Sequence, residues 1–125
     1  SPANHLAIAI KVLEVLWRQS RGESTDDDVE DMVSHSSDAG SEISAQMLDS
    51  LRQAGVVVMS DDEKWILSRD LSSLTLAQLA YMLGLAPNAD DIQAGGDAWS
   101  ERLKSALDRS TDGWNRGVAS LWKNN

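Results

Sequence analysis

Between Met47 and Leu79 the chain reads MLDSLRQAGVVVMSDDEKWILSRDLSSLTLAQL, an order that few folds accommodate. An apolar-periodic segment closes at Ala54-Gly55 and passes directly into the β-branched run Val56-Val57-Val58. A polar turn, Ser60-Asp61-Asp62-Glu63, separates that run from a second extended segment, Lys64-Trp65-Ile66-Leu67-Ser68. A further helical pattern opens at Ser72 or Ser73, with Leu74, Leu76, Leu79, Ala80 and Leu83 on its buried side, and stops at Gly84. Periodicity switching from 3.6 to 2 and back at these points predicts helix, strand, turn, strand, helix. A recognition helix followed by a wing has that order. The expected fold class is mainly α: a winged helix-turn-helix with a two-stranded wing and a C-terminal helical extension.

The flanking sequence supplies the remaining helices. Asn4 is a candidate N-cap for a first helix reaching about Gln19. Its polar positions Lys11, Glu14, Arg18 and Arg21 share one stripe, and nearly everything else is apolar, an arc wide enough to imply burial on more than one side. After a loop over 20–25, Thr25 or Asp26 can cap a short second helix through Val33, and its early acids suit the positive end of the helix dipole. A polar turn at 34–40 leads to a third helix from Ser41, with Ile43, Met47, Leu48 and Leu51 as its buried stripe and Gly55 at the left-handed C-cap position. Pro87, Asn88 and Gly95-Gly96 mark a loop over 85–96. A fifth helix is expected over about 97–109 and a sixth over about 111–123. Residues 1–73 form the expected winged core and 74–125 an extension packed on it, one domain overall.

Length and composition permit an ordinary core, with 42% apolar and 25% charged residues in 125. The absence of cysteine excludes a disulfide frame and a thiolate metal site. No apolar run reaches the length of a membrane span; the nearest, from Leu6 to Trp17, is broken by Lys11 and Glu14. No signal peptide is visible. The chain opens Ser1-Pro2-Ala3-Asn4 without a Met, as expected of a processed product or an excised piece of a longer chain.

The net charge of −9 is concentrated in residues 23–53, which hold nine acids (Glu23, Asp26, Asp27, Asp28, Glu30, Asp31, Asp38, Glu42, Asp49) against one base, Arg52. That placement bears on function. A helix that reads DNA presents Arg, Lys, Asn or Gln to base edges and needs further bases along the phosphates. The expected solvent-facing set here is Glu42, Ser44, Ala45, Asp49, Ser50, Arg52 and Gln53, and a phosphodiester backbone would be repelled. The acids at 26–31 lack the Gly and Glu positions of an EF-hand loop, so they read as a solvated helix start. His5 and His35 lack partners at ligand spacing, and both are expected to be exposed and inert. Asp90-Asp91 reads as a cap, and Gly95-Gly96 is not a phosphate loop. No nucleophile has a neighbouring base in a recognisable motif, so neither catalysis, a metal nor a cofactor is expected.

The tryptophans divide in two. Trp17 and Trp65 lie in segments the core should bury, whereas Trp99, Trp114 and Trp122 lie on the last two helices. Those three either pack the extension or form an aromatic docking face, where Trp is over-represented. The candidate interaction residues are therefore Glu42, Asp49, Arg52, Trp99, Trp114 and Trp122.

Three pieces carry a resemblance: Leu48-x-x-Leu51-x-x-Ala54-Gly55-Val56-Val57, then Lys64-Trp65-Ile66-Leu67-Ser68-Arg69-Asp70, then Ser73-Leu74-Thr75-Leu76-Ala77-Gln78-Leu79. With the late Leu121-Trp122, this pattern resembles the cytoplasmic C-terminal region of the YihY/BrkB family of bacterial multi-pass membrane proteins, over roughly residues 5–125. The resemblance implies a cytoplasmic tail of an inner-membrane protein, soluble as a fragment, whose spans precede Ser1 and which works through a protein partner or self-association. That family has carried a ribonuclease BN label, but no residue here matches a nuclease metal centre, and the activity is not carried over. An anionic leaflet would repel the 23–53 surface, which is expected to face away from it. The first two thirds are also similar to winged-helix regulators of the iron–sulfur-sensing type, without their sensor cysteines or a basic recognition helix. A DNA-binding regulator is accordingly the main alternative. It would need a basic patch built from Lys11, Arg18, Arg21, Lys64 and Arg69. A ribonuclease fragment is a weaker alternative.

Overall fold

The computed structural model describes residues 2–26, 28–34, 39–85 and 111–123. The elements, in order, are α1 (Pro2–Ser20), α2 (Val29–Val33), α3 (Ala39–Gln53), β1 (Val57–Met59), β2 (Trp65–Leu67), α4 (Leu76–Met82), α5 (Thr111–Trp114) and a 3-10 turn (Val118–Leu121). The described chain is thus mainly helical with one small antiparallel sheet, an arrangement compatible with a winged helix. Its contacts divide it into two compact units, Ile8–Asp70, and Ser1–Ala7 with Leu71–Asn125.

In the Ile8–Asp70 unit, the wide apolar arc of α1 is buried: Ala9, Ile10, Val12, Leu13 and Leu16 are all at most 4% exposed. Ile10, Val12, Leu13 and Leu16 each contribute about 1.5–3 kcal/mol on burial. The helix begins at Pro2 rather than after Asn4. A first-turn proline gives up no hydrogen bond, because its N–H would have had no helical partner. α2 starts later than the early acids suggest. Asp28 is its N-cap and accepts a hydrogen bond from the Asp31 amide at 2.8 Å. α2 packs on α3, which buries Met47, Leu48 and Leu51 and leaves Ile43 half-buried.

The turn from α3 into the hairpin depends on Gly55, whose φ of +79° is unstrained only for glycine. With Gly55 in that conformation its amide reaches Arg52 O at 3.0 Å and the Val56 amide reaches Leu51 O at 2.9 Å, satisfying the carbonyls left over at the helix end. β1 and β2 pair in the register Val57↔Leu67, Val58↔Ile66 and Met59↔Trp65. The loop between them closes with the Glu63 amide on Ser60 O at 2.9 Å and the Ser60 amide on Lys64 O at 2.8 Å. That geometry places Glu63 at φ +60°, the only non-glycine with positive φ among the described residues.

The other unit is built around α4. Thr75, not Ser72 or Ser73, is its N-cap, because Thr75 and Gln78 close a reciprocal capping box: the Gln78 amide donates to Thr75 Oγ1 at 3.0 Å and the Thr75 amide to Gln78 Oε1 at 2.9 Å. Leu71, Leu74, Leu76 and Leu79 are at most 2% exposed. The expected helix over 111–123 does not run through. α5 stops at Trp114, and Gly117 forms an isolated antiparallel bridge with Thr75. The backbone there bonds outward: Leu76 donates to Arg116 O at 3.1 Å, Val118 to Leu74 O at 2.8 Å, and Ala119 to Leu71 O at 2.9 Å. Those tertiary bonds replace the helical ones, and only the 3-10 turn at Val118–Leu121 resumes helical winding. The expected helix over 97–109 lies outside the described residues.

Candidate functional site

The exposed face of α3 has the acidic character its sequence gives. Glu42, Ala45, Gln46, Asp49, Arg52 and Gln53 are exposed, but Ser44 is not: at 8% exposure its hydroxyl donates back to Gly40 O at 2.9 Å. Arg52 does not stand free to meet a phosphate. Its guanidinium holds Asp49 Oδ1 at 2.9 Å through Nη2 and at 3.2 Å through Nε, while Gln53 donates to Asp49 Oδ2 at 2.7 Å. The hydrogen bond from Arg52, then that from Gln53, holds the Asp49 carboxyl below its ordinary value.

The bases at the end of α1 are similarly engaged. Arg18 forms an i,i+4 pair with Glu14 at 2.9 Å and reaches Glu23 at 3.3 Å; Arg21 pairs with Glu23 at 3.1 Å. The Glu14 hydrogen bond, followed by the charges of Glu14 and Glu23, raises the Arg18 pKa against its partial desolvation. Trp17 is half-buried rather than enclosed, with the Arg21 guanidinium 4.5 Å and that of Arg18 5.9 Å from its ring centre. Of the five bases in the alternative DNA patch, Arg18 and Arg21 are thus compensated by carboxylates. Lys11, Lys64 and Arg69 are exposed.

Trp122 is 3% exposed and belongs to the core of its own unit. Trp114 is half-buried, and Trp99 lies outside the described residues, as do His35, Asp90-Asp91 and Gly95-Gly96. His5 is half-buried within α1. Among the described residues no cluster of His, Asp or Glu could hold a metal ion.

Sequence reasoning missed the surface beside the hairpin. A groove of about 710 Å³ opens between β2, the last turns of α1 and the start of α2. Leu16, Val29, Trp65 and Leu67 give it an apolar floor, and Asp28, Glu30, Asp62 and Glu63 line it with carboxylates against the single base Lys64. The signal available in the sequence was the Asp61-Asp62-Glu63 turn itself, with no glycine at its tight position. A second groove, of about 890 Å³, runs between α1 and the α2–α3 segment, and its Arg18 is already engaged by both Glu14 and Glu23. Outside the grooves, Val58 and Ile66 form an exposed cross-strand pair at 43% and 46%, and Tyr81 is 87% exposed.

No family model matches the chain, and no solved structure matches it. Among curated proteins, the chain is 33% identical over 111 residues to a UPF0761 membrane protein of Halorhodospira halophila, a designation of the YihY/BrkB family. The match takes in 87% of this chain. Among the described residues no helix is long and apolar enough to cross a membrane. The chain spans 24% of the length of that membrane protein, to which it is homologous.

Proposed function

We propose that this chain is a non-catalytic interaction domain of a bacterial inner-membrane protein, held on the cytoplasmic side by spans elsewhere in the parent, and acting through contacts with other proteins or with further copies of itself. The observation that carries this reading is the 33% identity to a membrane protein across 87% of the chain. The fold assigned to it is a winged helix-turn-helix in which α2 and α3 are the helical pair and β1–β2 the wing. In a DNA reader α3 would enter the major groove. Here that helix exposes Glu42 and Asp49, and its one arginine is held by Asp49, which favours a protein partner over a polyanion. Glu42, Asp49 and Arg52 are the contact residues of this reading, and Trp99 and Trp114 are secondary candidates. Trp122 would have to leave its core to contribute.

The test is a titration of duplex DNA against the 125-residue chain at low salt. The expected result is no association in the micromolar range. Micromolar binding with a steep salt slope would establish the regulator reading instead. The same preparation is expected not to cleave RNA with divalent metal present, and metal-dependent cleavage would overturn the non-catalytic assignment.

A further inference from the structure

The hydrogen-bond parity of the hairpin fixes which strand edge is open. Ser68 donates to Val56 O at 2.9 Å and Ser60 to Lys64 O at 2.8 Å, so Val56/Ser68 and Ser60/Lys64 are bonded pairs of the ladder. Bonded and non-bonded pairs alternate in antiparallel sheets, which makes Val58/Ile66 bonded and Val57/Leu67 and Met59/Trp65 non-bonded. The N–H and C=O groups of Trp65 and Leu67 therefore point away from β1. On the β2 side, the groove described above opens beside that edge, floored by Leu16 and Val29. An unpaired edge bordering an apolar trough is the geometry that accepts an added strand.

The charge of the trough selects the strand. Asp28, Glu30, Asp62 and Glu63 are all exposed along it, and Lys64 alone opposes them. Glu63 adds a further indication, since it keeps a carboxylate at φ +60° where a glycine would be unstrained. A second copy of the chain would bring the same carboxylates to face their equivalents, so self-pairing here is opposed by charge. We propose that this groove binds an extended, lysine- or arginine-bearing peptide segment, which adds to the sheet as a third strand through the Trp65 and Leu67 backbone and sets its basic side chains against Glu30, Asp62 and Glu63. This deepens the interaction-domain reading and rests on it.

A short alternating Lys-Val peptide, fluorescein-labelled, is titrated into the isotopically labelled chain at low salt. Saturable binding that shifts the Trp65 and Leu67 amides is expected. A matched peptide with proline at its centre, and a Glu-Val peptide, are expected not to bind. The Glu30→Lys/Asp62→Lys double variant, checked for an unchanged circular dichroism spectrum, should weaken binding about tenfold or more through loss of rim complementarity. Equal binding of the proline peptide would refute strand addition, and equal binding of the Glu-Val peptide would refute the charge selection. If sedimentation shows that the chain alone dimerises with the Trp65 and Leu67 amides protected, the occupant is a second copy and the proposal is wrong. A null result with all peptides removes the groove proposal while leaving the wider reading to the DNA titration, which probes α3.

Discussion

Gly117 offers the sharpest test of the structure, because space rather than backbone conformation demands a glycine there. Its φ of −67° and ψ of 144° suit any residue, so alanine incurs no dihedral penalty. A Cβ at this position would instead overlap the Ser72 carbonyl oxygen and lie 2.9 Å from its carbon and 3.4 Å from Leu71 O. All three atoms are backbone, so no side-chain rotation relieves the clash. Relief requires moving the 116–119 segment away from 71–76, which lengthens the bonds from Val118 to Leu74 and from Ala119 to Leu71. Overpacking of this kind costs about 1–3 kcal/mol, and a weakened hydrogen bond adds about 1 kcal/mol. The lost freedom of the unfolded glycine returns about 0.4–1 kcal/mol. Gly117→Ala should therefore destabilise the protein by about 2–3 kcal/mol, a fall in Tm of roughly 10 °C for a chain of this size. Thermal and urea unfolding followed by circular dichroism measure it. Gly22→Ala is the control: nothing lies within 4 Å of its Cβ but φ is +77°, so its loss is about 1 kcal/mol from conformation alone. A Gly117→Ala protein with the parent Tm would refute the bridge between Thr75 and Gly117.

Three further outcomes are expected. Glu63→Gly should stabilise the hairpin by about 0.5–1 kcal/mol, because glycine occupies the left-handed region at no steric cost; urea midpoints will register it, and a lower midpoint would contradict the observed turn. Thr75→Ala removes half of the capping box and should cost about 1 kcal/mol, read as a lower Tm that Thr75→Ser largely restores. Asp49 has its carboxyl pKa lowered from an ordinary 3.8 by Arg52 and Gln53, so its contribution is present above that value and lost as pH falls through the lower folded value. Asp49→Asn should accordingly flatten the acid limb of the stability profile, and an unchanged acid limb would show that the pair does not form in solution.

The parts of the fold legible in the sequence are those fixed locally. Gly55 takes the left-handed conformation expected at its helix end, α4 stops before Gly84 as expected, and the stripe of Met47, Leu48 and Leu51 is buried. The β-branched run Val56-Val57-Val58, the polar turn after it and the extended Lys64–Ser68 segment spell a hairpin in the sequence, and β1 and β2 pair there. The Thr75-x-x-Gln78 signature was also present, yet Ser72 and Ser73 competed for the same role; the reciprocal bonds of Thr75 and Gln78 decide it. What could not be read was non-local. Trp114, Val118 and Leu121 have helical spacing, but Arg116, Val118 and Ala119 give their backbone groups to the segment from Leu71 to Leu76 instead. The β2 groove was likewise invisible, because it exists only where the ends of α1 and α2 come beside a strand.

The hairpin described above has a consequence for how the protein behaves when concentrated. A two-stranded sheet has two open edges, and this one shows Val58 and Ile66 to solvent, so chains stacking edge to edge would find both unpaired backbone and an apolar face. The three consecutive acids at its tip, Asp61, Asp62 and Glu63, stand guard against that. Each chain in such an array contributes two strands, so equivalent carboxylates would recur about 9.5 Å apart, within reach of one another at low salt, each layer repelling the next. High ionic strength shortens the reach of that repulsion, and a salt-rich solution is therefore the condition under which this domain first becomes prone to aggregate.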